Sequence, residues 1–462
     1  MNCRAIILVL TLIVLTIPFK IRSQTLGIEW QRFQSENIKI QDTSSGEGDV
    51  RSTYPLFMQT IYTRLLDWEP RVKSVTAQDE ELCRLSFSSS SLKERVLELG
   101  QFQKEKADCV YRKDAASAST VRKLFQALSV NFDVSDSTHF RKVIFQLPAK
   151  NGQAIFARGL FGFHDDKKAR PLMILRLGVH GNIDELLAER FIAKAAYEDF
   201  DFNFLVLENL TSHGYLSQDN PITFAGIEEG LHTFYILKQL KEENAALSAL
   251  ITKIHLIGIS LGGHGIFVTT TLDEKNNKYL SSASAYCPMI NLKETMDSHS
   301  NEGAAEAGID LWNHLRLAAI PNRILELNHT EWWKTAFDFQ PRFMPAILDY
   351  LAARQFAPSI KLPENIKWPK GFKQHLENSK SFFELNNFWP YYENKITPFL
   401  IVTTPNDPLV PLDSNSNLIV QKKQPGVFSK TQILQLDRSI HCALPTEYQW
   451  SFVIDLMKAQ WL

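Results

Sequence analysis

A serine flanked by glycines, in the stretch HLIGISLGGHG at residues 255–265, is the feature of this sequence that most directly suggests chemistry. An apolar, strand-like run ends at Ser260, with Gly258 two residues before it and Gly262 two residues after it. Small neighbours allow a sharp strand-to-helix turn that pushes the serine hydroxyl out of the protein surface, as a nucleophile requires. A glycine-rich turn that merely ends a buried strand has the same composition, so the motif alone leaves both interpretations open.

A serine nucleophile requires an imidazole to take its proton and an acid to orient that imidazole. In sheets of parallel strands, such groups gather at the carboxyl ends of the strands. Asp407 follows the apolar run FLIVTT, and His441 follows TQILQL. A turn-forming aspartate or a capping histidine would each be ordinary alone, but their joint placement predicts a triad of Ser260, Asp407 and His441.

Other acidic residues are weaker candidates for the triad acid. Asp437 lies only four residues before His441, too near to approach its imidazole from the usual side. Asp297 and Asp310 lie in a later insertion and would require an altered topology. We therefore expect Asp407 to be the acid.

Nearby polar residues are expected to have other roles. His264 lies four residues after Ser260 on the predicted helix and should face inward. His180 is expected to order the loop after the run PLMILRLGV. Glu208 and His213 could line a pocket, although a solvated loop is the simpler expectation.

Attack of a serine on a carbonyl places negative charge on oxygen, which backbone amides stabilise. The amide of Leu261 lies at the start of the predicted helix, whose dipole has the favourable sign. The second donor should come from the loop after PLMILRLGV, where His180, Gly181 and Asn182 follow. We favour the Asn182 amide, with Gly181 as the close alternative.

Strand-like and helix-like runs alternate from residue 139 onwards and predict an α/β fold with a doubly wound, mostly parallel sheet. The strand-like runs are HFRKVIFQLPA, QAIFARGLFGF, PLMILRLGV, NFLVLENL, KIHLIGIS, SSASAYCPMI, FLIVTT and TQILQL. Helix-like pieces rich in aromatic residues interrupt the pattern between about residues 293 and 395; they include Trp312, Trp332, Trp333, Phe337, Trp368, Phe388 and Trp389. Such pieces form either an apolar substrate cap or an ordinary core.

The sequence resembles the α/β-hydrolase superfamily through GISLGG at 258–263, GVHGN at 178–182, NDPLVP at 406–411 and SIHC at 439–442. The resemblance covers residues 139–462. It implies acylation of the serine by an ester, amide or thioester, with the histidine acting first as base and then as acid before water releases the acyl group. The insertion corresponds in position to the helical cap of lipase and esterase relatives, whereas an N-terminal region of over a hundred residues departs from the pattern.

The resulting domain prediction has five parts. Residues 1–24 form a signal peptide, and 25–138 form a mainly helical extension of unknown role. Residues 139–292 and 396–462 form the two parts of the hydrolase core, with the helical cap at 293–395 between them.

The N-terminus predicts export. MNCR precedes an apolar run of about 15 residues, with a cleavage region near Ser23 or Gln24. A helix needs about 20 apolar residues to cross a bilayer, so a retained anchor is the less favoured interpretation. We expect a periplasmic or secreted protein.

The cysteines and the two N-x-T triplets bear on the same expectation. Cys83 and Cys109 either pair in an oxidising compartment or remain thiols, since spacing does not establish geometry. Cys287 and Cys442 are expected to be small buried residues. The triplets at Asn209 and Asn328 matter only if export is eukaryotic.

Composition excludes other classes of function. Lys and Arg total 50 against 51 Asp and Glu in 462 residues, so no global field attracts nucleic acid or an anionic membrane. No C-x-x-C or H-E-x-x-H motif is present, and neither a metal nor a cofactor is predicted.

The sequence therefore predicts an exported serine hydrolase that cleaves carboxylic esters of small-molecule or lipid-like acyl substrates. One alternative is a serine peptidase on the same scaffold, which acidic cap residues that bind a free amino terminus would favour. The other is a non-catalytic binding protein that kept the fold, because fold and activity are separable.

Overall fold

A computed structural model describes most of the predicted core and parts of the regions around it. The described residues are 28–41, 83, 85–112, 139–183, 190–224, 226–298, 358–405, 407–421, 428–439 and 441–461. The predicted signal peptide, Asp310, Asn328 and four of the seven aromatic residues of the insertion (Trp312, Trp332, Trp333 and Phe337) lie outside them.

Within the described residues, nine strands form one sheet in the order β1-β2-β3-β5-β4-β6-β7-β8-β9. The strands are β1 (Ile38–Gln41), β2 (Phe140–Pro148), β3 (Ala154–Gly162), β4 (Arg170–Arg176), β5 (Asn203–Leu207), β6 (Ile251–Ile259), β7 (Leu280–Tyr286), β8 (Phe399–Thr403) and β9 (Thr431–Gln435). The pairs β5–β4, β4–β6, β6–β7, β7–β8 and β8–β9 are parallel. The pairs β1–β2, β2–β3 and β3–β5 are antiparallel. The predicted doubly wound, mostly parallel sheet is confirmed.

The chain reverses its direction of travel across the sheet at β4, which lies between β5 and β6. It moves from β4 to β5 on one side and then crosses over to β6 on the other. The carboxyl ends of strands on either side of such a switch form a crevice in which ligands bind. Here the crevice lies between the segments that follow β4 and β6.

Helices connect and cover the strands. The α-helices of the described residues are α1 (Leu92–Glu105), α2 (Ala107–Val110), α3 (Arg190–Lys194), α4 (His213–Leu216), α5 (Gly226–Lys238), α6 (Ala245–Ala249), α7 (Leu261–Lys275), α8 (Leu292–Ser298), α9 (Phe372–Asn378), α10 (Phe382–Leu385), α11 (Ser416–Gln421) and α12 (Trp450–Trp461).

The core lies on both faces of the sheet, because successive side chains of a strand point to opposite sides. In β4, Leu172 and Ile174 join the cluster that contains side chains of α5 and α7. Met173 and Leu175 join the cluster on the other face, with side chains of α1, α3 and α12. Strands buried on both faces read as continuous apolar runs, as PLMILRLGV does.

Described parts of the N-terminal extension belong to this core. Strand β1 pairs with β2, although the sequence predicted no strand there. Arg95 of α1 is buried and donates to the carbonyl oxygen of Ala459 in α12 at 2.6 Å. The pairing that the sequence left open is present: Cys83 and Cys109 form a disulfide.

The C-terminal part of the insertion, residues 358–395, packs as part of the core. The rings of Phe372 and Phe388 are fully buried, with centroids 4.8 Å apart, and Trp368 packs against Phe372. Among the described residues, no helix has the length and apolar character needed to cross a membrane.

Candidate active site

The turn from β6 into α7 holds Ser260 in a left-handed conformation, with φ 53° and ψ −118°. A non-glycine residue there carries strain on the order of 1–3 kcal/mol, which the surrounding structure must offset. The Ser260 amide donates to the carbonyl oxygen of Tyr286 at 2.9 Å, and its own carbonyl accepts from the amides of Gly263 and Met289. The sharp strand-to-helix turn predicted from the glycines is therefore present.

Close backbone approach explains the glycines around Ser260. A β-carbon on Gly262 would lie 2.5 Å from the carbonyl oxygens of both Arg176 and Leu177, at the end of β4. A β-carbon on Gly258 would lie 2.5 Å from the carbonyl oxygen of Gly262. Helix α7 can leave β6 this abruptly only because neither position has a side chain.

Ser260 is only 6% exposed, so the expectation of an outward-facing hydroxyl at the protein surface is wrong for this structure. His180 after β4 and Cys442 after β9 are buried at the same edge.

Asp407 and His441 are hydrogen bonded, as the triad prediction requires. The Nδ1 atom of His441 lies 2.9 Å from Oδ2 and 3.1 Å from Oδ1 of Asp407. The Asp407 side chain is 1% exposed, and its Oδ1 also accepts the amides of Leu409 and Val410 at 2.9 and 3.0 Å. The carboxylate is thus fixed by its own turn and directed at the imidazole.

Contacts through β7 connect this pair to the serine. A sulfur atom of Cys287, a carboxylate oxygen of Asp407 and a ring nitrogen of His441 all lie within 4.8 Å of one another. Cys287 directly follows Tyr286, whose carbonyl accepts the Ser260 amide. The backbone of Ser260 and the Asp407–His441 pair are therefore both adjacent to the Tyr286–Cys287 segment, at the carboxyl ends of β6, β7, β8 and β9.

Three features decide the fold: the order of the strands, the switch at β4, and a left-handed serine between β6 and α7. The chain has an α/β-hydrolase fold. Asp407 follows β8 and His441 follows β9, as the sequence predicted.

The sequence matches no family model and no curated protein. Several solved structures are similar to this α/β-hydrolase fold. Esterase Pf2001 of Pyrococcus furiosus is 14% identical, with 67% of this chain and 86% of that chain covered and a TM-score of 0.37. Lipase A of Candida antarctica in its closed state is 13% identical over 72% and 80%, with a TM-score of 0.41. A putative hydrolase of Legionella pneumophila is 16% identical over 72% and 90%, with a TM-score of 0.42. At such scores the likenesses carry no argument about activity, which rests on the site itself.

A disulfide joins Cys287 to Cys442, so the expectation that these are simply small buried residues is wrong. Both are buried, as expected, but they are bonded across 155 positions of sequence. Sequence spacing cannot reveal a pair that only the parallel sheet brings together. Because its sulfur is in this bond, Cys287 offers no thiolate with which Asp407 and His441 could share a metal.

Strained backbone is concentrated around the site. Five non-glycine residues at the carboxyl edge have φ values between 43° and 58°: His180, Ser260, Cys287, His441 and Cys442. Left-handed conformations of such residues are uncommon and cluster at functional sites. Apart from the glycines around Ser260, no sequence signal marked them, because none is itself a glycine.

The loop after β4 holds the predicted oxyanion donors. The Gly181 amide donates to the carbonyl oxygen of Gly178 at 2.9 Å, so it is already used within the turn. Asn182 is buried beside it. Leu261 is the first residue of α7, where helix amides lack an intrahelical acceptor.

Asn209 anchors that loop from below. Its side-chain amide donates to the carbonyl oxygen of Leu177, and its backbone amide donates to that of Gly181. Its Oδ1 accepts from Thr211, whose hydroxyl accepts the His180 amide at 2.8 Å. The His180 ring also bonds this segment, with Nδ1 3.0 Å from the carbonyl oxygen of Thr211, which agrees with the predicted role in ordering the loop. Asn209 is fully buried, so its N-x-T triplet is not available for glycosylation in the folded protein.

Buried charges lie beneath the same loop. The Asn209 side chain also donates to Glu229, which is fully buried. Burial raises the pKa of Glu229 to about 7, although the charge of Arg176 opposes the rise. Glu208 is 2% exposed and pairs with Arg158 at 3.1 Å, so the expectation of a solvated loop there is wrong. The side chain of His213 lies outside the described residues.

The remaining alternatives lie elsewhere. Asp437 accepts a hydrogen bond from the Tyr111 hydroxyl at 2.8 Å, and Asp297 is an exposed partner of Lys293. His264 is 1% exposed and faces inward against α5, as expected. Burial lowers its pKa to about 4, despite an opposing contribution from the backbone of Asn386.

We expect Gly262→Ala to lower the free energy of unfolding by about 3 kcal/mol, because the new methyl group must displace backbone carbonyls of β4. Gly100→Ala is the matched control, since it lies in α1 with no atom within 4 Å of the new methyl group. The control should gain about 1 kcal/mol from helix propensity. Urea unfolding of both variants checks this, and a Gly262→Ala protein as stable as wild type would contradict the crowding at the turn.

We expect Glu229 to make stability depend on pH. Its folded-state pKa is raised, so its stabilising contribution is complete below the unfolded value of 4.5 and is lost as pH rises towards 7. Glu229→Gln removes this titration while it keeps an acceptor for Asn209. Wild type should therefore lose stability relative to the variant between pH 5 and pH 8. The free energy of unfolding of the variant, minus that of wild type, should increase over this range, whatever its value at pH 5. A difference that stays constant between these pH values would show that Glu229 titrates normally.

Proposed function

We propose that the protein is an exported serine hydrolase that cleaves carboxylic esters through Ser260, His441 and Asp407 and an acyl-enzyme intermediate. The observation that carries the proposal is the Asp407–His441 hydrogen bond, together with a serine held on a strained strand-to-helix turn at the same edge of the sheet. A paired aspartate and histidine and a strained serine turn serve nucleophilic catalysis. An ordinary turn would require neither the pair nor the strain energy.

Each member has a distinct role in this proposal. The bond to Asp407 fixes a proton on Nδ1 of His441, so that Nε2 is the basic nitrogen. Nε2 accepts the Ser260 proton as the hydroxyl oxygen attacks the ester carbonyl, and then donates it to the departing alcohol. Water, deprotonated by the same nitrogen, attacks the acyl-enzyme; the bond to Ser260 Oγ breaks, Nε2 returns the proton to that oxygen, and the acid is released.

The negative charge of the tetrahedral intermediate requires two donors. We assign the first to the Leu261 amide, at the positive end of the α7 dipole. We assign the second to the Asn182 amide, the donor that the sequence favours, with the Gly181 amide as the close alternative. Loss of one such donor typically costs about 2.7–4 kcal/mol of transition-state stabilisation.

Export to the periplasm or the cell exterior is supported by two features. The N-terminal apolar run has the length and flanks of a signal peptide. Two disulfides, Cys83–Cys109 and Cys287–Cys442, are typical of an oxidising compartment. The proposed substrates are small-molecule or lipid-like acyl esters.

Labelling with a fluorophosphonate and turnover of a panel of chromogenic acyl esters test the proposal. Wild type should be modified on Ser260, which mass mapping identifies, and Ser260→Ala should neither react nor turn over while remaining folded. Asp407→Asn should lower kcat by about 10⁴-fold, because the imidazole loses its orienting carboxylate. Asp437→Asn is the matched control, and its kcat should remain within about 2-fold of wild type because Asp437 bonds Tyr111 instead.

Three outcomes would contradict the proposal in different ways. Absence of labelling and of turnover in folded wild type would favour a binding protein with a hydrolase fold. Turnover of aminoacyl amides in preference to esters would favour a peptidase. Equal loss in Asp407→Asn and Asp437→Asn would remove the assignment of the acid.

A further inference from the structure

The Cys287–Cys442 disulfide connects the two sides of the proposed catalytic site. Cys287 is the first residue after β7, and the preceding carbonyl, that of Tyr286, accepts the amide of Ser260. Cys442 directly follows His441. The cross-link therefore joins the strand beside the nucleophile to the loop that carries the imidazole.

The segment around the bond is held in an unfavourable backbone conformation. Cys287, His441 and Cys442 have φ values of 43°, 46° and 53°, although each has a β-carbon. Such residues remain left-handed only where the surroundings over-determine them. The Cys287 amide donates to the carbonyl oxygen of Val402 at 2.8 Å, so one end of the bond is fixed to β8.

The loop that carries His441 is restrained at its start by a tyrosine. The Tyr448 hydroxyl accepts the Arg438 amide at 3.1 Å and donates to the Arg438 carbonyl at 2.9 Å. Past the histidine, the covalent bond at Cys442 is the restraint that links this loop to β7. His441 lies between the two.

We infer that the Cys287–Cys442 disulfide is a positioning element that holds the His441 imidazole on Asp407 beside Ser260, so that efficient turnover requires the oxidised protein. This inference rests on the proposed function. Without the bond, the left-handed residues relax and the imidazole shifts from its orienting carboxylate. A displacement of about 1 Å in catalytic geometry can cost on the order of 10²-fold in rate.

The chain offers a matched control in its other described disulfide. Cys83–Cys109 joins two parts of the N-terminal extension, with Cys109 in α2, and has neither end in a loop that follows β6, β7, β8 or β9. Both disulfides constrain the unfolded chain, so removal of either should lower thermal stability. Only removal of Cys287–Cys442 should lower kcat.

The test compares Cys287→Ala/Cys442→Ala with Cys83→Ala/Cys109→Ala at a temperature where both are folded. We expect the first variant to lose about 10²-fold in kcat and in the rate of fluorophosphonate labelling of Ser260, with KM within about 3-fold. The control variant should keep its kcat within about 2-fold. A loss of folded structure in the first variant would instead change KM together with kcat.

Reduction of the Cys83→Ala/Cys109→Ala protein gives a second measurement that does not depend on folding of the first variant. Dithiothreitol supplies two electrons and two protons, converts the remaining disulfide into two thiols and closes to its own cyclic disulfide. Activity should fall with the extent of reduction measured by mass spectrometry, and reoxidation should restore it.

Full activity after verified reduction, or in Cys287→Ala/Cys442→Ala, overturns the inference while the proposed function stands. Equal loss of kcat in the control variant also overturns it, because the effect would not belong to this bond. A folded, oxidised wild type that neither reacts with the phosphonate nor hydrolyses any ester overturns the proposed function and this inference with it.

Discussion

The close approach of helix α7 to the ends of strands β4 and β6 is the constraint on which the site depends. At Gly262, a single added carbon would meet two carbonyl oxygens of β4 at 2.5 Å. The helix therefore leaves β6 at once, and Ser260 takes the left-handed conformation between them. The same geometry puts the Leu261 amide at the positive end of the helix, beside the proposed nucleophile.

Parallel strands supply the second half of the arrangement, because their carboxyl ends meet along one edge. Asp407 and His441 follow the adjacent strands β8 and β9 and are hydrogen bonded at 2.9 Å. The disulfide at Cys287 adds a covalent link from this pair to the strand beside Ser260. The strained backbone and the disulfide that restrains it thus lie at the same edge of the sheet. Strain of this kind is expected where the geometry of a site matters more than its stability.

Features that depend on local sequence could be predicted, whereas those that depend on distant partners could not. Each of the eight predicted strand-like runs contains a strand, because the pattern of apolar residues in a run is a local property of the sequence. Strand β1 was missed since its four residues gain their structure from the exposed edge of β2. The Cys287–Cys442 bond and the burial of Glu208 against Arg158 depend on neighbours that are remote in sequence. The low exposure of Ser260 depends on the surrounding loops, which a local motif does not describe.

An experimental structure of the protein after reaction with a phosphonate would test the central claim most directly. We predict a covalent bond from phosphorus to Oγ of Ser260, with Nε2 of His441 within hydrogen-bond distance of that oxygen. The phosphoryl oxygen should accept the amides of Leu261 and Asn182. An adduct on another residue, or an imidazole of His441 out of reach of Ser260 while still bonded to Asp407, would contradict the account.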